Sequence, residues 1–139
     1  MDVLVLIGRL LFVLLFAVSA VGHLTKTREM AGYAASRGVP MAGAATVVSG
    51  LVLAVGAISV GVGLWADLGA LALAAFALPT AFLMHRFWAE KDPQSRQMEQ
   101  VQFFKDIALG GAALVMFAFF AFAGHALGLM VTGPALSIG

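Results

Sequence analysis

Four ionisable side chains stand inside long apolar runs, Arg9 and His23 in one, Asp67 and His85 in another. Such groups are costly in hydrocarbon, and they persist where they pair with each other or serve a ligand. Arg9 and His23 are 14 residues apart. On a helix that leaves them within about 40° of one face and separated by about 21 Å along the axis. Asp67 and His85 are 18 residues apart, five whole turns. They share a face with a separation of about 27 Å. If both helices cross a membrane in the same direction, Arg9 and Asp67 lie in one half and the two histidines at the other edge. The spacing predicts that the first and third spans are neighbours, with Arg9 paired to Asp67. It also sets His23 near His85, beside Arg86, Lys105 and Asp106. Local readings compete with this: Arg9 snorkels to the surface, and Asp67 caps the start of its own helix. Bis-histidine haem ligation by His23 and His85 is geometrically conceivable. Their position at an interface and the lack of a second paired set argue against it. A three-histidine metal site fails because His125 belongs to the opposite side, so no metal is expected.

The elements that must position these residues follow from composition. The chain has 139 residues, of which 62% are hydrophobic and 11% charged. A soluble domain is roughly 25% charged, so the apolar surplus must face lipid. A membrane helix needs about 20 apolar residues. Four stretches meet that length: 3–24, 41–63, 67–88 and 103–130. The fold expected is an all-α, integral membrane four-helix bundle forming one domain over 1–139. Ala17-Val18-Ser19-Ala20 looks like a signal-peptide cleavage site, but Asp2 and no Lys or Arg precedes the first apolar run. That is the wrong charge for a signal sequence, so the run is read as a retained span.

Charge sorting then gives an orientation. Seven of the eight Lys and Arg residues lie in or beside two connections, after the first span and after the third. Cytoplasmic loops retain such cations during insertion. Loops 25–40 and 89–104 are therefore expected in the cytoplasm, with both termini and the turn at Trp65 outside. Trp65 at one edge, and Tyr33 and Trp88 at the other, suit interfacial aromatic belts. In the first cationic loop Met30, Tyr33, Ala34 and Arg37 recur at i, i+3, i+4, i+7, which predicts a short interfacial helix. Gly38 then offers a left-handed cap and Pro40 a stop. In the second, Asp92 caps a helix that opens at Pro93 and leads into the fourth span. Small residues at Gly43, Gly50, Ala54, Ala57 and Gly61, and at Ala70, Ala74, Ala77 and Ala81, predict close helix packing. Pro79 is expected to disturb the third span near its middle.

Several chemistries drop out. There are no cysteines, which removes disulfides, thiolate nucleophiles and Cys-ligated metal clusters. No basic stripe with interleaved aromatics is present, so nucleic acid is not an expected partner.

The order of these features resembles the DoxX family of small four-helix membrane proteins. The resemblance runs from Arg9-Leu10-Leu11 with Phe12 and Phe16, through Ser19 to Leu24, to Met30-x-x-Tyr33 and Gly38-Val39-Pro40. It continues through Gly50-Leu51-x-Leu53-x-x-Gly56 and His85-x-Phe87-Trp88 with Asp92. It ends at Phe104-Lys105-Asp106 leading into Leu109-Gly110-Gly111. Two positions depart from the family pattern. Ser49 stands where a Glu is frequent, and Asp106 where an Asn is frequent. The resemblance implies association with redox or oxidative-stress-defence complexes. Some relatives resemble the small subunit of a thiosulfate:quinone oxidoreductase.

Three functions follow as expectations. The first is an accessory or scaffold subunit that recruits soluble redox enzymes to the cytoplasmic leaflet. Its docking cations would be Arg28, Arg37, Arg86, Lys91, Arg96 and Lys105, and the subunit would not be an enzyme on its own. The second is a quinone-interacting subunit of an oxidoreductase, with Arg9, Asp67, His23 and His85 around the ligand. The third is a binder or transporter of a small solute or lipid, for which a homo-oligomer would supply the repeat that one short chain lacks.

Overall fold

The computed structural model describes residues 1–138. Five helices form in order: α1 (Asp2–Thr25), α2 (Thr27–Ser36), α3 (Ala42–Val62), α4 (Ala66–Met84) and α5 (Pro93–Ala123). Single 3₁₀ turns follow α4 at Phe87–Ala89 and α5 at Gly124–Ala126. Four segments, α1, α3, Ala66–Ala89 and Pro93–Ala126, are long and apolar enough to cross a membrane. The protein is an all-α membrane bundle, with α2 as the short helix expected between the first two spans.

Local chemistry sets the helix ends. Gly38, at φ 83°, follows α2, and Pro40 blocks continuation. Gly63, at φ 77°, ends α3 and donates its N–H to Ser59 O at 3.0 Å. Asp92 caps α5, accepting the Ser95 N–H at 2.8 Å, with Pro93 as first residue. α4 runs as one helix through Pro79, whose ring supplies no N–H to the Ala75 carbonyl.

The fourth span departs from expectation. Its helix starts at Pro93 and stops at Ala123, not at Met130. Its 31 residues extend about 46 Å, against a hydrocarbon core of about 30 Å. The polar first turns therefore project beyond the apolar layer. Residues after Ala126 leave helical geometry, with Leu129 at φ 57°, and fold back over the bundle end.

α1 packs on α3, α3 on α4, and α4 on α5, while α2 lies against α3. The first and third spans are thus not neighbours by backbone, because α3 stands between them. They meet through side chains, as where the His23 ring sits edge-on to Phe76 with centroids 5.9 Å apart. α3 and α4 approach closely at Gly56 and Gly69. A Cβ on Gly56 would lie 2.8 Å from the Leu73 side chain and 3.2 Å from the Gly69 carbonyl oxygen. Ala70, Ala74, Ala77 and Ala81 are all buried, as are Gly50, Ala57 and Gly61; Gly43 is exposed. The core gathers Val13, Phe16, Leu53, Val60, Leu73 and Phe120. Leu4, Leu11 and Val18 of α1 and Phe122 of α5 point outward, as a lipid-facing surface requires.

Candidate functional site

At the end of the bundle that holds both termini, the structure separates Arg9 from Asp67. Arg9 is 2% exposed, so it does not snorkel. Its Nη2 donates to the Leu129 carbonyl at 2.8 Å, and its Nη1 meets the Met130 thioether. Its Nε has no partner among the described residues. Asp67 is fully buried and accepts the N–H groups of Ala135 at 3.0 Å and Leu136 at 2.7 Å. The expected ion pair is therefore replaced by two separate contacts with the returning C-terminal segment. The same segment donates the Val131 and Thr132 N–H groups to Gly63 O and accepts the Trp65 N–H on Thr132 Oγ1. Apart from the Met130 thioether and the Thr132 hydroxyl, these partners are backbone groups of the tail and the α3–α4 turn. Helix spacing alone gives no signal of them.

The other end, where the cationic connections meet, carries the denser polar network. Arg37 bridges Glu90 at 2.5 Å and Glu99 at 2.7 Å and also donates to the Tyr33 hydroxyl. The Glu90 contact, ahead of the others, holds the Arg37 guanidinium well above its ordinary pKa. Burial raises the Tyr33 hydroxyl. Arg86 donates to the Arg37 carbonyl at 2.7 Å. His85 Nδ1 lies 2.8 Å from Glu99 Oε2, and its Nε2 lies 3.6 Å from Asp106 Oδ2. Lys105 Nζ lies 3.4 Å from Asp106 Oδ1. His23 Nδ1 is 2.8 Å from the Ser19 carbonyl. A carbonyl only accepts, so Nδ1 carries a proton and Nε2 is the nitrogen left for other contacts.

A cavity of about 740 Å³ opens beside this network. Its wall draws on all five helices: Phe16 and His23 of α1, Tyr33 of α2, Thr46 and Ser49 of α3, Phe76 and Pro79 of α4, and Asp106 of α5, with His85 at its edge. α1 and α5 both line it but do not pack together as the other adjacent spans do, among the described residues. The lining is mainly apolar with a few convergent polar groups, which suits a ligand with an apolar body and a polar head. Its volume lies within the range of small-molecule sites. His23 and His85 both line this cavity, with no direct contact between them among the described residues. Arg9 and Asp67 do not line it.

The docking cations divide. Arg28, Lys91 and Arg96 are exposed. Arg37, Arg86 and Lys105 are partly buried and turned into the network described above. Glu99 was not singled out by spacing, yet Glu99, Gln102 and Asp106 stand at i, i+3, i+7 on α5. That periodicity marks one polar helix face. Among the described residues no cluster of three or more His, Asp or Glu suits a metal ion.

The family model described as DoxX matches residues 4–86. The match spans α1 to α4 and includes Arg9, His23, Asp67 and His85 but stops before α5. No curated protein and no solved structure matches the chain.

Proposed function

This chain belongs to the DoxX family, and we propose that it is the membrane subunit of a redox-associated complex that holds an amphipathic ligand with an oxygen-bearing head. A membrane quinone is the ligand class that fits. The cavity carries this reading, since it joins a largely apolar wall to His23, His85, Thr46 and Asp106 at one end. Ser49 and Asp106, the two positions that depart from the family pattern, both line it. By the sorting of Lys and Arg, the polar end of the cavity faces the cytoplasm. The subunit itself supplies binding and orientation. Electron donors are assigned to a partner, since the chain has no cysteine to carry electrons as a thiol.

A docking role for the same end is favoured by one further observation. Arg28, Lys91 and Arg96 remain exposed outside the ion-pair network, and they form the surface a soluble acidic partner would meet. Native mass spectrometry of the protein extracted from its own membranes in mild detergent tests both readings. A retained quinone-sized mass supports the ligand reading. A retained soluble protein, lost when Arg28, Lys91 and Arg96 are neutralised, supports docking. Recovery of the bare chain alone contradicts both.

A further inference from the structure

The hydrogen bonding around His85 reaches Glu99 but stops short of Asp106. Glu99 Oε1 takes the Tyr33 hydroxyl at 2.9 Å and Arg37 Nη2 at 2.7 Å. Its other oxygen faces His85 Nδ1 at 2.8 Å. Held by these donors, Glu99 is an ionised acceptor, and His85 must carry its proton on Nδ1. Nε2 is the remaining ring nitrogen, an acceptor in the neutral ring and a donor in the imidazolium. It faces Asp106 Oδ2 at 3.6 Å, beyond hydrogen-bond distance. Asp106 is 7% exposed and stands in the cavity wall. An ionised carboxylate there offers a ligand carbonyl nothing but a further acceptor.

We propose that Glu99, His85 and Asp106 form a proton-sharing triad through which the cavity binds the carbonyl oxygen of its ligand with uptake of one proton. This rests on the ligand-binding reading above and names the chemistry of that site. The proton comes from solvent at the exposed side of the Glu99 cluster and is carried on Asp106. There it becomes the O–H donor to the ligand oxygen. No bond of the ligand breaks and no electron moves. The charged and titratable groups facing the triad belong to each neighbouring element. α2 brings Arg37, Tyr33 and Glu29; the connection after α4 brings Arg86 and Glu90; α5 brings Lys105; α1 brings His23. Arg37 is already engaged by Glu90 and Glu99, and Arg86 by the Arg37 carbonyl. Lys105 Nζ, at 3.4 Å from Asp106 Oδ1, is a cation beside the carboxylate that must change state.

The test uses full-length protein in phospholipid nanodiscs and a decyl-substituted benzoquinone, which does not itself ionise. Calorimetry in two buffers of different ionisation enthalpy, at one pH, reads proton uptake. Affinity measured across neutral to alkaline pH reads the linkage. The triad predicts about one proton taken up per quinone and affinity falling by up to about tenfold per pH unit. Asp106→Asn, whose amide is a permanent donor, should bind with a flat profile and no uptake. Binding by the unmodified protein with no proton uptake overturns the triad and leaves the ligand reading standing. So does Asp106→Asn that keeps the uptake. If Asp106→Asn does not fold, the calorimetry of the unmodified protein decides alone. Absence of binding at every pH overturns both.

Discussion

Removing the Asp67 carboxylate should release the C-terminal segment. That carboxylate is fully buried and accepts two backbone N–H groups, from Ala135 at 3.0 Å and Leu136 at 2.7 Å. A hydrogen bond to an ionised group contributes about 1.5–3 kcal/mol. Asp67→Ala therefore removes about 3–6 kcal/mol from docking of the tail. At 1.4 kcal/mol per factor of ten, the local opening constant should rise by at least roughly 100-fold. Hydrogen–deuterium exchange followed by mass spectrometry, on peptides covering 127–138, reads this directly. Exchange there should accelerate, while α3 and α4, packed on each other through Gly56 and Gly69, stay protected. Asp67→Asn keeps one acceptor oxygen and loses the charge, so its effect should fall between the two. Equal tail exchange in Asp67→Ala and the unmodified protein would refute the reasoning. It would mean that the contacts of Gly63, Thr132 and Arg9 hold the tail without the carboxylate.

Three further outcomes are expected. Gly56→Ala should destabilise the bundle by about 1–3 kcal/mol through overpacking, because the new methyl meets Leu73 and the Gly69 carbonyl; thermal unfolding in detergent measures it. Arg37→Ala should cost about 1–2 kcal/mol by removing partly buried charged hydrogen bonds to Glu90 and Glu99. It should also speed exchange in α2 while leaving α1 and α3 unchanged. Asp92→Ala should fray the first turn of α5, seen as faster exchange near Ser95. The Asp92 carboxyl is held below its ordinary value, first by the Ser95 N–H and then by the Ser95 hydroxyl. The cap therefore stabilises α5 at pH above the carboxyl's unfolded value and is lost as pH falls through the depressed folded value. Acid titration of exchange near Ser95 should show that loss in the unmodified protein and not in Asp92→Ala.

The elements were legible because hydropathy and punctuation are local. Four apolar runs, the Gly38–Pro40 stop and the Asp92–Pro93 start all sit where the helices begin or end. The fourth run misled at its far end. Residues 124–130 are apolar enough to extend a helix, but Leu129 and Met130 meet Arg9 instead, and the residues after them bond to Gly63, Trp65 and Asp67. The Arg9–Asp67 pair fails for the same reason. Residue spacing gives depth along a helix, but the order of helices around the bundle is not encoded in depth. α3 lies between α1 and α4, and the tail takes up both charges. His23 and His85 line one cavity, and the His23 ring reaches Phe76 of α4. Glu99 escaped notice because it falls in the polar first turns of α5, where charge reads as solvation.

The most direct test of the ligand site is equilibrium binding of the same decyl-benzoquinone to two variants in nanodiscs. Ser49→Phe places a ring in the cavity wall, whereas Val55→Phe adds one to an outward, lipid-facing position on the same helix. Saturable binding is expected in the unmodified protein and in Val55→Phe, and its loss in folded Ser49→Phe. Equal binding by all three, or by none, would contradict it.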